Sequence, residues 1–158
     1  MTDVAGFREA IGHFATGLAI VTAPGPAGAT TNAVTSLSLD PLLVLACLDR
    51  GSRTLDAIRA SGRAGISVLA AEQEDVARGF ASKASHAEKF ATVSHRDDHG
   101  VPLIDGAIAW LAGPVHQLMP GGDHEIVVIA VEAYGAPGGE PLLFHRGAYG
   151  ALPADSGA

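Results

Sequence analysis

Basic residues are scarce in this chain of 158 residues. Ten lysines and arginines stand against 17 aspartates and glutamates, so the formal net charge is −7 at pH 7. No segment gathers five or six basic residues, which argues against a nucleic acid or an anionic membrane as a partner. No apolar run approaches the roughly 18 residues of a membrane span. We therefore expect partners among small molecules and other proteins, with no nucleic acid and no membrane.

Cysteine is almost absent as well. The single residue, Cys47, excludes an intrachain disulfide framework, and its place in LLVLACL predicts a buried residue in a reducing compartment. The N-terminus lacks the basic and apolar regions of a secretory signal, so a cytoplasmic protein is expected. Length and a hydrophobic content of 47% fit one compact domain. We predict this domain over residues 1–152, followed by a tail over 153–158.

The seven histidines form no recognised metal motif such as H-E-x-x-H. If PGGD turns a hairpin in which Met119 faces His124, then His116 faces Val127. That places His116 about 10 Å from His124 at ordinary strand rise, too far for shared ligation. No metal site is predicted.

The first segment has apolar residues at helical spacing and predicts an amphipathic helix over residues 3–16. Thr2 or Asp3 is available as its cap, and Gly17 as its stop. A second helix is predicted from Ser52 or Thr54 to Gly62, and a third within AEQEDVARGF. The apolar stripe of the first helix consists of Val4, Phe7, Ile11 and Phe14.

Short runs rich in β-branched residues, separated by glycine, proline and aspartate, predict strands elsewhere. The hydrophilic stretch HRDDHG, which contains His95 and His99, is interpreted as a loop. Many short strands with few helices indicate a mainly β fold with flanking helices, in the form of a closed or nearly closed barrel. The predicted strands span residues 18–23, 31–39, 42–48, 64–69, 108–119, 125–135 and 141–152.

The strand EIVVIAVEA is apolar on both faces, because Ile126 and Val128 alternate with Val127 and Ile129. A small barrel has only one interior, so the other face must meet a helix or a second subunit. A dimer supplies that cover most simply.

Three segments carry polar residues that a core does not require. Residues 30–38 align hydroxyls and an amide, which suits either an exposed edge strand or a planar ligand with many acceptors. Ser52, Arg53 and Thr54 precede a helix, where they suit a phosphate but also plain capping. In GGDHE, His124 opens a strand, where a surface histidine is the ordinary interpretation. No G-x-G-x-x-G follows a strand, so a Rossmann site is unsupported.

Taken together, these segments resemble the short-chain flavin reductase family, which supplies reduced flavin to two-component monooxygenases. The resemblance spans nearly the whole chain and departs at Leu42, where the family often has a second proline. It implies an FMN-binding split β-barrel of Greek-key type that works as a homodimer, with flavin sites beside the subunit interface. It rests on the order of FREAIGHFATGLAIVTA, TTNAVTSLSLDPLLVLACL, SRTLDAIRASGRAGISVL, FASKASHAEKF, PLIDGAIAWL, GGDHEIVVIAVEA and PLLFHRGAY.

The resemblance also implies the residues of a site. His124 would orient the dihydronicotinamide, and Asp123 would fix its imidazole tautomer. Either Lys83 or Lys89 would add charge at the phosphate, and Tyr149 would either line the pocket or cover the barrel end. The complete implied cofactor set is Asn32, Ala33, Val34, Thr35, Ser36, Ser38, Ser52, Arg53, Thr54, Lys83, Lys89, Phe90, Asp123 and Tyr149.

The implied activity is that of an NAD(P)H:flavin oxidoreductase. Hydride would pass from the nicotinamide to FAD or FMN, and reduced flavin would leave for a separate monooxygenase, so the protein would mainly position two rings. NADH is expected rather than NADPH, because no basic cluster near GGDH suits a 2′-phosphate. Two alternatives stay open: a non-catalytic flavin-binding electron-transfer or storage protein, and a relative that uses haem or a pyridoxal-type phosphate. The choice between FAD and FMN and the identity of the monooxygenase also stay open.

Overall fold

The computed structural model describes residues 3–153, and strands predominate in it as predicted. The helices are α1 (Val4–Gly12), α2 (Arg53–Ser61), α3 (Glu74–Ala81) and α4 (His86–Ala91). The strands are β1 (Thr16–Gly17), β2 (Ala19–Ala23), β3 (Ala27–Thr31), β4 (Val34–Leu39), β5 (Leu42–Asp49), β6 (Arg63–Val68), β7 (His95–Asp98), β8 (Val101–Ile104), β9 (Ala109–Gly121), β10 (His124–Ala130), β11 (Ala133–Gly135), β12 (Leu143–His145) and β13 (Ala148–Gly150). Beyond Pro153, the predicted tail lies outside the described residues.

Seven strands form one path in the order β3-β2-β6-β9-β10-β5-β4, and β11 pairs with β9 beside it. The long strand β9 is shared, since its first part pairs with β6 and its last part with β10. The two ends of the path, β3 and β4, are separated in the chain only by Asn32 and Ala33. The sheet must therefore curl until its edges approach each other at this corner, although no ladder joins β3 to β4 in the part of the chain that is described.

Apolar side chains fill the curled sheet and a second layer outside it. The inner core includes Val21 and Ile66 from the sheet and Leu55 and Ile58 from α2. The outer core packs Ile20 and other residues of the sheet and its flanks beneath α3 and α4. Strand β2 is consequently buried along its whole length. Each fully buried Leu or Ile contributes about 1.5–3 kcal/mol. None of the helices within residues 3–153 combines the length and apolar character of a membrane span.

Helix α1 is shorter than predicted and its apolar stripe is uncovered. Asp3 caps the helix by accepting the Gly6 N–H, but the helix ends at Gly12 instead of residue 16. The Gly12 carbonyl accepts the Arg146 N–H at 2.9 Å, and residues 16–17 turn away to pair with β12. The side chains of the stripe, Val4, Phe7, Ile11 and Phe14, are 55–72% exposed.

Four predicted segments differ from the structure. The strand 31–39 is interrupted at the corner between β3 and β4, and those at 125–135 and 141–152 each divide in two. The stretch around His95 is a strand instead of a loop, because His99 and Gly100, with φ of 50° and 76°, turn a hairpin between β7 and β8. Helix α4 was not predicted, although Ser85 and Glu88 form a capping box at its start.

The predicted register of the β9–β10 hairpin is wrong. Met119 lies opposite Ile126, not His124, because the turn contains only residues 122–123. Gly122 has a φ of 74°, as the first central residue of a type II′ turn does. His116 has no direct partner on β10, since a bulge lies at that position. The face of β10 that carries Ile126 and Val128 is also less exposed than expected, because Val128 is buried within this single chain.

Candidate active site

Strand β5 brings two of the predicted polar segments onto one face of the sheet. Thr35 of β4 lies opposite Leu45 on one side, and His124 of β10 lies opposite Asp49 on the other. Paired residues share a face, as do residues two apart along a strand, so Leu45, Cys47 and Asp49 point the same way. Thr35 and His124 therefore lie on the same face of the sheet, on either side of β5.

A cavity of about 730 Å³ lies over the part of this face that carries Thr35, Leu45 and Cys47, and Asp49 and His124 lie beyond its lining. Leu45 and Cys47 form its floor, Ile11 and Phe14 lie at its α1 side, and residues 31–35 border it. The volume falls within the usual range for organic ligands, about 300–1,000 Å³. Burial raises the pKa of the Cys47 thiol, although this residue is only partly buried and is not the core residue expected from its sequence context.

The corner between β3 and β4 is hydrogen-bonded onto β5. The Thr31 hydroxyl donates to the Cys47 carbonyl at 3.3 Å and accepts the Ala33 N–H at 3.0 Å. The Cys47 N–H in turn donates to the Ala33 carbonyl at 2.9 Å. These bonds hold the exposed Asn32 at the rim, where it borders this cavity and a neighbouring one of about 650 Å³.

The side chains that follow the corner do not all reach the cavity. Thr35 and Ser38 share the cavity face with their partners on β5, and a bulge at residue 37 keeps them in phase. Ser36 pairs with Val44 and points to the opposite face. Val34 borders the cavity but also packs against the inner core. The polar side chains of this segment therefore lie on both faces of the sheet, and that of Ser36 points away from the cavity.

The tip of the β9–β10 hairpin holds His124 and Asp123 together. The imidazole Nδ1 and the Asp123 Oδ1 are 2.8 Å apart, and this hydrogen bond lowers the pKa of the Asp123 carboxyl. With Nδ1 donating, Nε2 is left as an acceptor. The Arg50 N–H donates to the Asp123 carbonyl at 3.0 Å, so the hairpin is attached to the turn between β5 and α2.

That turn leads to a cationic group formed by Arg53, at the start of α2, and Lys83, in the segment before α4. The Arg53 guanidinium donates to the carbonyls of Lys83 and Ala84, at 3.2 and 2.6 Å, and so joins the start of α2 to the segment before α4. His86 lies nearby; burial lowers the pKa of its imidazole, and the charges of Arg53 and Lys89 lower it further. Cations beside the free N–H groups at the start of α2 suit an anionic ligand group. Ser52 is the cap of α2 and accepts the Leu55 N–H.

Besides Ser36, four residues of the predicted cofactor set have side chains that lie away from the cavity. Lys89 is 7% exposed, and its Nζ donates to the Phe80 carbonyl at 2.9 Å. Phe90 is in the outer core, edge-on to Phe80, and its ring lies 3.2 Å from where a Cβ on Gly28 would be. The other two are Thr54, which is buried in α2, and Tyr149, which stacks on Arg78 and covers the outer core.

Two further candidate residues near the site were not predicted from the sequence. His86 was counted only as a scattered histidine, although the capping box around it marks a helix start. Thr16 was assigned to the first helix, but it borders both cavities, and its buried hydroxyl has no hydrogen-bond partner within residues 3–153. A buried hydroxyl without a partner is costly unless a ligand or water bonds it. In the described chain, no group of three or more potential metal ligands is brought together.

The curled sheet, the apolar cavity with a polar rim and the nearby cations define a class of protein. It is a small β domain whose largely apolar cavity has the volume of an organic ligand.

Residues 11–153 match the family described as flavin reductase like domain. The chain is 38% identical over 168 aligned positions to the NADH-dependent flavin reductase of Rhodococcus sp, with 96% of this chain and 94% of the relative covered. It is 39% identical over 154 positions to the flavin-dependent monooxygenase reductase subunit HsaB of Mycobacterium tuberculosis, covering 93% and 81%. The structure of Streptomyces globisporus C-1027 NADH:FAD oxidoreductase SgcE6 with NAD and FAD fragments aligns with a TM-score of 0.92 at 36% identity, covering 98% and 96%. The chain belongs to the flavin reductase family.

Proposed function

We propose that this chain is an NADH-dependent flavin reductase that reduces FAD or FMN and releases the product to a separate monooxygenase component. The observation that supports this most directly is the pairing around β5, which puts Thr35 and His124 on one face of the sheet, where Leu45 and Cys47 line a ligand-sized cavity. The family membership and the names of the relatives support the same chemistry.

The residues around the cavity fit the flat part of a flavin. Leu45 and Cys47 offer apolar contact from below, while Thr16 and Asn32 offer hydrogen bonds at the edge. Donors along Thr35–Ser38 would stabilise the negative charge that develops near N1 and O2 of the ring system. Arg53, together with the exposed Lys83 and not the buried Lys89, would hold phosphate.

Bound flavin supplies the N5 atom that accepts the hydride from nicotinamide C4. One proton comes from solvent, so NADH, a proton and oxidised flavin become NAD⁺ and reduced flavin, and no strong acid or base is required of the protein. His124 would orient the carboxamide of the dihydronicotinamide through Nε2, while Asp123 keeps the proton on Nδ1. The main work of these residues is to hold two rings with their reacting atoms about 3–3.5 Å apart.

The proposed assembly is a homodimer of split barrels, with residues 1–152 as one domain. The bare stripe is the main support, since Val4, Phe7 and Ile11 on α1 and Phe14 just after it are exposed on a single chain. Ile11 and Phe14 of this stripe also border the cavity, so a second subunit on α1 would lie beside the flavin. The proposed compartment is the cytoplasm, which keeps a lone thiol reduced.

Steady-state oxidation of NADH with an excess of free FAD or FMN tests the proposal. A reductase accelerates the reaction and turns over many equivalents of flavin. A flavin carrier or storage protein binds flavin with no acceleration over the protein-free control, and that result would refute the reductase assignment.

A further inference from the structure

The strand that presents His124 is attached from behind by an ion pair. Successive residues of a strand point to opposite faces, so Glu125 lies on the face of the sheet opposite to that of His124, Cys47 and Leu45. On that far face the Glu125 carboxylate bonds the guanidinium of Arg59, in the last turn of α2. The Glu125 side chain is only 15% exposed, whereas Arg59 is 39% exposed.

Arg59 is held between two carboxylates. It also bonds Asp56 on its own helix at 3.1 Å, and these contacts, that with Glu125 foremost, raise the pKa of the guanidinium. A guanidinium that is bonded twice has a restricted position. Glu125 therefore has a fixed partner on α2, and this helix is rigidly seated because Leu55 and Ile58 are fully buried.

Few other contacts restrain the hairpin tip. Beyond Glu125 the ladder with β5 ends at the His124–Asp49 pair, and the Arg50 N–H bond to the Asp123 carbonyl is the next attachment. The imidazole is 45% exposed, and Gly121 and Gly122 stand in or next to the turn. A tip of this kind moves easily unless the strand just behind it is fixed.

We propose that Arg59 and Glu125 are a positioning pair for His124. Their bond attaches β10 to α2 one residue behind the imidazole, and α2 begins at the cationic group beside Arg53. One helix therefore sets the position of the nicotinamide-facing residue relative to the flavin phosphate region. The inference rests on the proposed function, since it requires that His124 meets NADH.

Steady-state kinetics of the full chain test the pair. Glu125→Ala is expected to lower kcat/KM for NADH about tenfold, because a small displacement of a positioning group is costly in rate. The affinity for FAD and the thermal unfolding midpoint are expected to stay close to those of the unmodified protein, since a partly exposed pair adds little stability. Glu125→Gln, whose amide oxygen still accepts the guanidinium, is expected to recover most of the rate.

A double-mutant cycle and a matched control complete the design. Arg59→Ala combined with Glu125→Ala is expected to lose no more than the worse single variant, because both remove the same contact. Glu74→Ala removes the exposed Glu74–Arg78 pair on α3, as Glu125→Ala removes the pair with Arg59, and is expected to leave all parameters unchanged.

The outcomes separate the inference from the function on which it rests. If His124→Ala lowers kcat/KM for NADH while Glu125→Ala leaves it within twofold, the positioning role is refuted and the reductase stands. If Glu125→Ala lowers FAD affinity and the unfolding midpoint as much as kcat/KM, the pair is merely structural and the inference is also refuted. If the unmodified protein does not accelerate NADH oxidation, the proposed function itself fails.

Discussion

His124 lies directly opposite Asp49, at the last rung of the ladder between β10 and β5. Two residues earlier on β5, the Cys47 carbonyl accepts a hydrogen bond from the Thr31 hydroxyl, which lies on the other side of the strand. Because β5 pairs with both β4 and β10, a single strand sets the separation between the cavity rim and the imidazole. Flavin and nicotinamide must meet across that separation in the proposed reaction.

Removing the Thr31 hydroxyl is expected to loosen the corner. Thr31→Val loses the bonds to Ala33 and Cys47, which costs about 1–3 kcal/mol of unfolding free energy for the polar groups left unpaired. Flavin affinity is expected to fall with it, because Asn32 lies in the corner and Thr35 follows it on β4. Urea unfolding and a fluorescence titration with FAD measure the two effects. Thr31→Ser keeps the hydroxyl and is expected to behave as the unmodified protein; equal losses in both variants would contradict the interpretation.

Lys83 and Lys89 are expected to respond differently to loss of charge. Lys83→Gln is expected to weaken flavin binding several-fold, most clearly at low salt, with no change in stability, because the side chain is exposed. Lys89→Met leaves the Phe80 carbonyl without its donor and is expected to lower the unfolding free energy by about 1–3 kcal/mol.

Flavin titrations at two ionic strengths, paired with thermal melts, distinguish the two lysines. If Lys89→Met loses much of its flavin affinity while its stability is unchanged, Lys89 contacts the flavin and the assignment to Lys83 alone is wrong.

The pairing of Asp123 with His124 has a defined pH dependence. The pKa of the Asp123 carboxyl is lowered, so its stabilising contact is present above the ordinary aspartate pKa and is lost as pH falls through the lower folded value. Protonation of Asp123 therefore occurs below the ordinary aspartate range and is not expected to change activity near neutral pH.

Carbon-detected NMR titration of the carboxyl measures this directly. In His124→Ala the pKa of Asp123 is expected to rise toward its ordinary value. An ordinary Asp123 pKa in the unmodified protein would show that the hydrogen bond to His124 does not form in solution.

The stripe of α1 predicts a dimer that charge can disrupt. Phe7→Asp puts a carboxylate on the apolar stripe without touching the residues that border the cavity, so it is expected to give a monomer in sedimentation or light-scattering measurements. Ala5→Asp adds the same charge on the far side of α1 and is expected to leave the dimer intact. If the unmodified protein sediments as a monomer, the proposed assembly is refuted.

Features set by local chemistry were predictable from the sequence. Helix α2 starts at the Ser52 cap and ends at Gly62, which takes a left-handed conformation as expected for a helix stop. The segments predicted as strands do contain strands, because alternation and β-branched residues act over a few residues.

Features set by distant contacts were not predictable in this way. Helix α1 ends early because residues 16–17 pair with β12, more than a hundred residues away in sequence. The hairpin register depends on whether the turn contains two residues or more. The longer turn predicted from the sequence paired His124 with Met119, whereas its partner on β9 is Gly121. The resemblance placed Lys89 and Phe90 near the flavin, but only the packing of α4 against Phe80 shows which side chains of that short helix are buried.

Rapid mixing of NADH with flavin-loaded protein without oxygen tests the central claim most directly, because the loss of oxidised-flavin absorbance follows hydride transfer itself. In the unmodified protein the rate is expected to saturate with NADH and to fall when the transferred hydrogen at C4 is deuterium. In His124→Ala the second-order rate constant for NADH is expected to fall about tenfold or more, with flavin affinity unchanged. An unaltered rate in His124→Ala would contradict the placement of the nicotinamide against this residue.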